Sequence, residues 1–388
     1  MQILSKKLVS GILALTVVSC QGTEEDSATK VTRVNQTQVK MQSIGNCWLY
    51  AAASWLESML MNDENEKVNV SESYWTYWHW FDELKRKSEN MQELQTGGHW
   101  YTFVNIANEH GWVKEGEFLP NETEDVKSET QACALEHVNN VLKNEATLAG
   151  RNLSDETIKA VLNEAFSCNS DVDVNIDAIK DQYARSAADT MLRLPKTDDV
   201  KNMTEMLADY EEIYNNNAGN SPKKLPSTRN LAHMKKMEGA IKAALNDEVP
   251  VAIAFHVYFD AIKDDNHMFN LDTLAESVSR TGKFGNQGGH MILMHDYTAS
   301  NVPGYDYLGE GPMDDEAKAA ALAGDLDYIV AKNSWGTDKD RSDRAFIQDG
   351  YSRLTWDYLT KIHVDQNGRT WNMLSYVVVP SKYKALMD

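Results

Sequence analysis

Cysteine is scarce in this sequence, which has four in 388 residues, at positions 20, 47, 133 and 168. None of them has the spacing of a zinc-binding motif, so we expect no structural metal site and predict no cofactor. Positive charge is scarce too, with 38 lysines and arginines against 58 aspartates and glutamates and a formal net charge of −20. A chain of this charge is not expected to bind nucleic acid or to adsorb to anionic membranes.

The N-terminus contains an apolar run, but a short one. Residues 8–18 are apolar and follow Lys6 and Lys7, and the run is too short for an ordinary membrane span. It ends in Val17-Val18-Ser19-Cys20, which resembles the processing box of bacterial lipoproteins, where cleavage precedes the cysteine and the cysteine carries the lipid. This predicts a signal peptide over 1–19, a lipid anchor on Cys20 and a disordered tether over 20–35. The protein would be exported, to the periplasmic face of the outer membrane or to the cell surface.

The remaining chain predicts an α+β fold. Its length allows one large domain or two ordinary ones, and 42% hydrophobic with 25% charged residues is an ordinary globular composition. The patterns predict a helical part over 36–129, a mostly helical insertion over 130–236 and an antiparallel β part over 237–388. Within the insertion, helical spacing occurs in Glu136–Lys143, Glu156–Phe166 and Val200–Tyr214.

An aromatic segment, Tyr74–Phe81, follows Ser71, a predicted helix N-cap. The segment favours a helix packed on two sides over a platform for stacking ligands. If Cys20 is lipidated and Cys47 is reactive, Cys133 and Cys168 are left as a pair, and an exported location permits a disulfide between them. The sequence does not show whether they approach each other closely enough to bond.

Cys47 stands between a turn signal and a helical run. Gly45 precedes it and Ala51–Ala53 follow it, which predicts that the cysteine begins a helix. The free N–H groups and the dipole at that end of a helix stabilise a thiolate, the nucleophilic form of cysteine. The alternative interpretation is a small buried apolar residue.

Two further residues offer compatible chemistry. His290 begins the apolar stretch 290–297, and Asn333 directly follows another, 328–332, so both stretches are predicted strands. A cysteine nucleophile needs a base within hydrogen-bond reach, and that base needs a third group to orient it. His295 is the rival base, but it lies five residues after His290 and would point to the opposite face of the strand.

The order Cys, His, Asn resembles the papain-like cysteine peptidases. Three segments carry the resemblance: Gly45-Asn46-Cys47-Trp48, His290 with Tyr297 seven residues later, and Asn333-Ser334-Trp335-Gly336. It covers roughly residues 36–120 and 237–380. The segment Ser71 to Trp78, the insertion and the lack of a cysteine between 47 and 133 are similar to the bleomycin hydrolase and aminopeptidase C branch.

The resemblance implies a role for each residue of a Cys-His-Asn triad. Cys47 would attack the peptide carbonyl, and His290 would accept the thiol proton and later protonate the leaving amine. Asn333 would orient His290, and Trp335 would shield the bond between them from water.

The resemblance also implies an oxyanion donor and a substrate-binding segment. The family places a glutamine six residues before the nucleophile, where this chain has Met41, and Gln42 is five residues before it. We predict that Gln42 and the backbone N–H of Cys47 stabilise the oxyanion. Gly97 and Gly98 resemble the Gly-Gly that lines the non-primed side of the cleft, where the backbone must approach an extended substrate.

The sequence therefore predicts an exported, lipid-anchored cysteine peptidase that acts on a peptide or protein substrate. The alternatives are another Cys-His acyl-transfer enzyme, such as a transglutaminase or an amidase, and an inactive papain-like binding protein. Only Pro380–Asp388 follow the last predicted strand, a shorter tail than the branch usually has, which favours endopeptidase or oligopeptidase action. Oligomeric state, side-chain preference and the role of the insertion are not set by the sequence.

Overall fold

The computed structural model describes residues 34–64, 67–122, 127–150, 152–168, 172–215, 228–263, 268–337, 349–361, 363–364 and 370–387. The chain divides into Met1–Lys30 and Val31–Asp388, and every described residue belongs to the second part. The predicted signal peptide, Cys20 and most of the tether lie outside the described residues. Val34, at the end of the predicted tether, is buried and donates its N–H to the His295 carbonyl at 3.2 Å, so it belongs to the folded part.

Helices dominate the first two thirds of the described chain. In chain order the α-helices are α1 (Cys47–Glu64), α2 (Glu72–Lys85), α3 (Trp100–His110), α4 (Glu115–Phe118), α5 (Glu129–Asn144), α6 (Asp155–Phe166), α7 (Ile176–Tyr183), α8 (Met203–Asp209), α9 (Thr228–Asn246), α10 (Leu271–Thr281), α11 (Asp315–Ala323), α12 (Trp356–Thr360) and α13 (Ser381–Lys384). None of these helices combines the length and apolar character that a membrane span requires.

Strands dominate the last third. They are β1 (Met191–Arg193), β2 (Val200–Asn202), β3 (Tyr210–Tyr214), β4 (Val251–Tyr258), β5 (Ile262–Lys263), β6 (Met268–Phe269), β7 (Gln287–Ser300), β8 (Tyr307–Leu308), β9 (Asp325–Lys332), β10 (Tyr351–Thr355), β11 (His363–Val364), β12 (Thr370–Trp371) and β13 (Leu374–Pro380). Nine of them form one sheet in the order β3-β13-β4-β7-β9-β10-β6-β5, with β8 paired to β7. Its pairs are antiparallel except β10 with β6.

The helix that begins at Cys47 lies at the centre of the molecule. It packs against β7 and β4, and residues 47–60 are all buried. Most of these residues are apolar, as a helix buried on every side requires, and the small side chains of Ala51–Ala53 suit that close packing. The buried polar exceptions are Ser54, Glu57 and Ser58. The first residue of α1 is therefore held between the helical layers and the sheet.

The aromatic segment after Ser71 is core, as predicted. The Ser71 hydroxyl accepts a hydrogen bond from the Tyr74 N–H at 3.2 Å and caps α2. Residues 74–81 are all buried. Two of the aromatic side chains also bond to the end of α3, since the Tyr74 hydroxyl donates to the His110 carbonyl and the Trp75 indole N–H to the Gly111 carbonyl, each at 2.8 Å.

The region over 130–236 is mostly helical, but the prediction of a helix over Val200–Tyr214 is wrong. Only α8 is helical there; β2 precedes it and β3 follows it. The stretch Tyr210–Tyr214 pairs with β13, far along the chain, so tertiary pairing decides its conformation. A disulfide joins Cys133 in α5 to Cys168 just after α6. The predicted α+β class is confirmed, with a helical layer that contains Cys47 packed on a mostly antiparallel sheet.

Candidate active site

Cys47 is the first residue of α1. Its neighbour Asn46 is buried, and the Asn46 side-chain amide donates to Thr76 Oγ1 at 2.9 Å and to Gln131 Oε1 at 2.8 Å. These bonds hold the start of α1 against α2 and α5. Gly45 is required by a close approach, because a Cβ there would lie 2.6 Å from Thr96 Oγ1.

His290 lies in β7 and bonds to Asn333, which follows β9. The His290 Nε2–H donates to Asn333 Oδ1 at 2.8 Å. That oxygen also accepts the Ser334 backbone N–H at 2.7 Å, and Asn333 Nδ2 donates to Ser352 Oγ at 2.8 Å, so the amide has one favourable orientation. A neutral His290 then carries its proton on Nε2 and its lone pair on Nδ1.

Trp335 covers the imidazole of His290. The two rings are stacked, with centroids 4.6 Å apart and planes 21° from parallel. All three side chains that meet here are buried: His290 is 6% exposed, Asn333 3% and Trp335 8%. Water therefore has little access to the hydrogen bond between His290 and Asn333. A hydrogen bond that is shielded from water is stronger than one exposed to solvent.

Burial favours the neutral forms of both reactive groups. It raises the pKa of the Cys47 thiol to about 11, while the backbone N–H groups of Met291, Trp48 and Cys47 oppose the shift. Burial also lowers the pKa of His290 to about 4, although the hydrogen bond to Asn333 acts in the opposite direction and raises it. At neutral pH the two groups are a thiol and an imidazole with a free lone pair. The imidazole can accept the thiol proton as sulfur attacks.

Cys47 and His290 open onto the same cavity. It has a volume of about 660 Å³ and is also lined by Gly97 and Gly98. A Cβ on Gly98 would lie 2.4 Å from the Trp48 ring, whereas a Cβ on Gly97 would meet nothing within 4 Å. Gly98 is therefore needed to pack against Trp48, while Gly97 leaves space open on the cavity side.

Gln42 is not among the residues that line this cavity. Its backbone N–H donates to the Ser334 carbonyl at 2.9 Å, and its Nε2 donates to the Ile44 carbonyl at 2.7 Å. The Ser334 hydroxyl donates to Gln42 Oε1. One N–H of the Gln42 amide remains for an oxyanion, so its role stays a prediction. Met41, at the family's usual position, forms backbone bridges to Trp335 and Lys127.

The rival base does not share the cavity. His295 is 3% exposed and packs its ring 4.6 Å from that of Tyr351, and neither of its ring nitrogens has a hydrogen-bond partner. The neighbouring carboxylate of Asp296 accepts the backbone N–H groups of Tyr297 and Gly311, each at 2.7 Å. The structure brings His290, and not His295, to the cavity of Cys47.

Several other lining residues were not predicted. His79, Arg86, Gln95, Tyr101 and Tyr376 all line the cavity. They reach it from α2, α3, β13 and the segments between them. No local pattern in the sequence marks them. Among the described residues that line the cavity, none is an aspartate or glutamate.

A buried charge cluster lies beside the candidate triad and joins both layers. Lys40 Nζ lies 3.1 Å from Glu57 Oε1, 2.8 Å from Glu72 Oε1 and 3.7 Å from Glu115 Oε2. Lys332, next to Asn333, lies 3.5 Å from Glu57. Burial and the negative charges of Glu115 and Glu57 raise the pKa of Glu72 to about 8. The positive charge of Lys40 lowers this pKa but does not outweigh them. A protonated Glu72 leaves two cations against two carboxylates.

One group of side chains has the composition of a metal site. Ligand atoms of Asp82, Glu109 and His110 lie within 4.8 Å of one another. Lys180 Nζ lies 3.2 Å from His110 Nδ1 and can only donate, which places the imidazole proton on Nε2, the atom that faces the carboxylates. A protonated nitrogen cannot bind a metal, so these residues do not fit one.

Comparisons with known proteins find solved structures at low identity and with TM-scores below 0.5. No family model matches the chain, and no curated protein matches it. PepW from Lactobacillus rhamnosis HN001 is 13% identical at a TM-score of 0.46, over 93% of this chain and 84% of that one. SERA5E from Plasmodium falciparum is 15% identical at a TM-score of 0.37, over 88% of this chain and 89% of that one. A structure from work on the mite allergens Blo t 1 and Der p 1 is 12% identical at a TM-score of 0.32, over 90% and 68%.

Proposed function

We propose that this chain is a papain-like cysteine peptidase that hydrolyses peptide bonds through a thioester on Cys47. The observation that carries the proposal is the buried hydrogen bond from His290 to Asn333, on a histidine that shares a cavity with a cysteine at the start of a helix. A nucleophile, a base and a group that orients the base are the parts that such chemistry requires.

The proton moves between Cys47 and His290 in each half of the reaction. Sγ attacks the substrate carbonyl carbon while its proton passes to His290 Nδ1. The C–N bond then breaks, His290 returns the proton to the leaving amine, and the acyl group remains on sulfur as a thioester. Water attacks that thioester with His290 as base, which releases the carboxylic acid and restores the thiol.

The oxyanion of the tetrahedral intermediate needs donors on the side of α1. We assign this role to the backbone N–H of Cys47 and to the free N–H of Gln42 Nε2. Gln42 is held by Ile44 and Ser334, so its amide is already fixed before substrate binds. Removal of one such donor typically costs on the order of 10² to 10³ in kcat, which makes Gln42→Ala a direct test of this assignment.

The C-terminal segment supports endopeptidase or oligopeptidase action. It packs against α9 and β3: the Tyr383 hydroxyl bonds to Asp247 at 2.7 Å, and Lys236 Nζ donates to the Met387 carbonyl at 2.6 Å. No described residue after Tyr376 lines the cavity. Deletion of residues 382–388 should leave the ratio of cleavage of amino-blocked to free-amine peptides unchanged. A changed ratio would show that the tail limits the cleft.

We further propose that the protein is exported and anchored to a membrane through a lipid on Cys20. The support is the charged, apolar and processing-box pattern of residues 6–20. Expression in a Gram-negative host, with mass spectrometry of the N-terminal peptide, tests it. The expected result is a lipid on Cys20 and release of the Cys20→Ala variant from membranes, and an unmodified Cys20 would contradict the proposal.

The peptidase itself is tested by labelling and substitution. An epoxide that alkylates activated thiols should modify Cys47 in the folded protein at neutral pH, and Cys47→Ala should abolish peptide cleavage without a change in thermal unfolding. His290→Gln should also lower activity, and His295→Gln is its matched control. Both histidines lie in β7, but only His290 lines the cavity. Activity that survives Cys47→Ala, or equal losses in the two histidine variants, would contradict the proposal.

A further inference from the structure

A buried glutamine of α5 bonds to the residue that precedes Cys47. Gln131 lies in the first turn of α5 and is 0% exposed. Its Oε1 accepts a hydrogen bond from Asn46 Nδ2 at 2.8 Å. Its Nε2 donates to Ser73 Oγ at 2.8 Å and to the Tyr50 hydroxyl at 3.3 Å. One side chain therefore joins α5 to α2, to α1 and to the residue at which α1 begins.

The neighbours of Gln131 leave its amide one orientation. A hydroxyl has a single proton to donate. Ser73 donates its proton to Glu122 Oε2 at 2.6 Å, so it can only accept from Gln131. Tyr50 bonds to the hydroxyl of Ser128, which donates its own proton to a backbone carbonyl at 3.2 Å, so the Tyr50 proton goes to Ser128. Both hydroxyls thus need Nε2 of Gln131 as a donor, and Oε1 is the atom that faces Asn46.

Asn46 depends on Gln131 for one of the two bonds of its side chain. The other bond goes from Nδ2 to Thr76 Oγ1 at 2.9 Å, and among the described residues Oδ1 has no hydrogen-bond partner. The Asn46 carbonyl accepts the Leu49 N–H at 2.9 Å at the start of α1. That carbonyl and the N–H of Cys47 belong to one planar peptide unit, so they turn together. The orientation of Asn46 therefore sets the direction of the Cys47 N–H.

We propose that Gln131 is a positioning residue for the peptidase reaction, which through Asn46 holds the peptide unit that aims the Cys47 N–H at the oxyanion. The inference rests on the proposed peptidase function. A preorganised donor is effective because it needs no reorientation as negative charge develops. Loss of Gln131 leaves a buried N–H of Asn46 unpaired, which favours rearrangement of the side chain that carries it. The 130–236 region then contributes to catalysis through its first helix.

Gln131→Met tests the proposal, because methionine keeps the length of the side chain and lacks the amide. We expect kcat on a blocked peptide to fall roughly 10-fold with KM little changed, a smaller loss than the 10² to 10³ that removal of an oxyanion donor typically costs. Alkylation of Cys47 by iodoacetamide forms no oxyanion, so its rate constant should not change. General damage to the site would slow both reactions.

A double-mutant cycle shows whether Gln131 acts through Asn46. Asn46→Ala should lower kcat by a similar factor, and adding Gln131→Met should then lower it by less than about twofold, since the bond between the two is absent. The control is Asn163→Met, which removes an amide of α6 that accepts from the Tyr77 hydroxyl in α2 at 3.0 Å. This control should leave kcat unchanged.

Three results would overturn the proposal: wild-type kcat in Gln131→Met, alkylation that slows as much as turnover, or losses that multiply in the double variant. Thermal unfolding checks each variant first. If Gln131→Met does not fold, Gln131→Asn replaces it, which keeps the amide and shortens the side chain by one methylene. Wild-type protein that cleaves no peptide would contradict the peptidase proposal itself, whereas turnover that Gln131→Met leaves unchanged would contradict this inference alone.

Discussion

The Nε2 atom of His290 lies 2.8 Å from Oδ1 of Asn333, and Asn333 Nδ2 in turn donates to Ser352. This chain of bonds fixes the tautomer of the imidazole. Asn333→Ala should therefore lower kcat roughly 10²-fold, at the lower end of what a positioned base contributes, with KM little changed. Ser352→Ala, which frees the amide to rotate, should cause a smaller loss.

The control for these variants is Asn108→Ala, whose side chain bonds to Thr204 at the surface of α3. Steady-state kinetics on one blocked peptide compares the three. Equal kcat in Asn333→Ala and Asn108→Ala would show that the His290–Asn333 bond does not position the base.

Gly97 and Gly98 should respond differently to the same substitution. Gly98→Ala places a Cβ 2.4 Å from the Trp48 ring, next to Cys47, and should destabilise the protein by about 1–3 kcal/mol as an overpacked site does. Gly97→Ala meets no protein atom within 4 Å and should unfold like wild type while raising KM. Chemical denaturation and kinetics check both, with Gly116→Ala as the open-space control. Equal stability of the two variants would contradict the packing role of Gly98.

The parts of the site that the sequence reveals are those with a local signature. Cys47 stands at a helix start, and His290 and Asn333 stand in or next to apolar strands, so each is visible in a short window. Tyr376 is not, because its place in the cavity depends on the pairing of β13 with β4.

In the 130–236 region, local sequence patterns are likewise insufficient to predict the secondary structure. Local spacing predicts a helix through Tyr214, yet β3 forms because β13 offers it a partner, and that partner is remote in sequence. The core nature of the segment after Ser71 is predictable because the segment is aromatic on every side. Whether Cys133 reaches Cys168 is a question of distance in space, which no spacing in the sequence answers.

His295 should make stability depend on pH. Burial lowers its pKa to about 3, whereas the unfolded chain binds a proton near 6.5, so the unfolded state gains protons first as pH falls. Below pH 6.5 this histidine should cost up to about 1.4 kcal/mol of unfolding free energy per pH unit. His295→Leu also removes two unpaired ring nitrogens and should flatten this dependence between pH 6.5 and 5 while preserving activity. Urea unfolding across that range checks it, and an unchanged slope would contradict the buried, neutral state.

The charge cluster around Lys40 should be sensitive to loss of its cation. Lys40→Met leaves the Glu57 carboxylate buried without its nearest positive charge, and an unpaired buried charge typically costs about 3–5 kcal/mol. Lys361→Met is the control, since Lys361 and Asp357 form an exposed pair, and it should change stability by less than about 0.5 kcal/mol. Denaturant midpoints compare the two. Similar midpoints would mean that the carboxylates of the cluster are already protonated.

The disulfide between Cys133 and Cys168 should stabilise the 130–236 region through the unfolded chain. It closes a loop with a sequence separation of 35 residues, and the chain-entropy relation gives ~4 kcal/mol for a loop of that length. The double variant Cys133→Ala/Cys168→Ala should therefore unfold at lower denaturant concentration than wild type, and reducing agent should lower only the wild-type midpoint. Reduction leaves Cys47 unaltered, because Cys47 is the free cysteine of the described chain. Equal midpoints for oxidised wild type and the double variant would mean that helices α5 and α6 hold the loop closed without the bond.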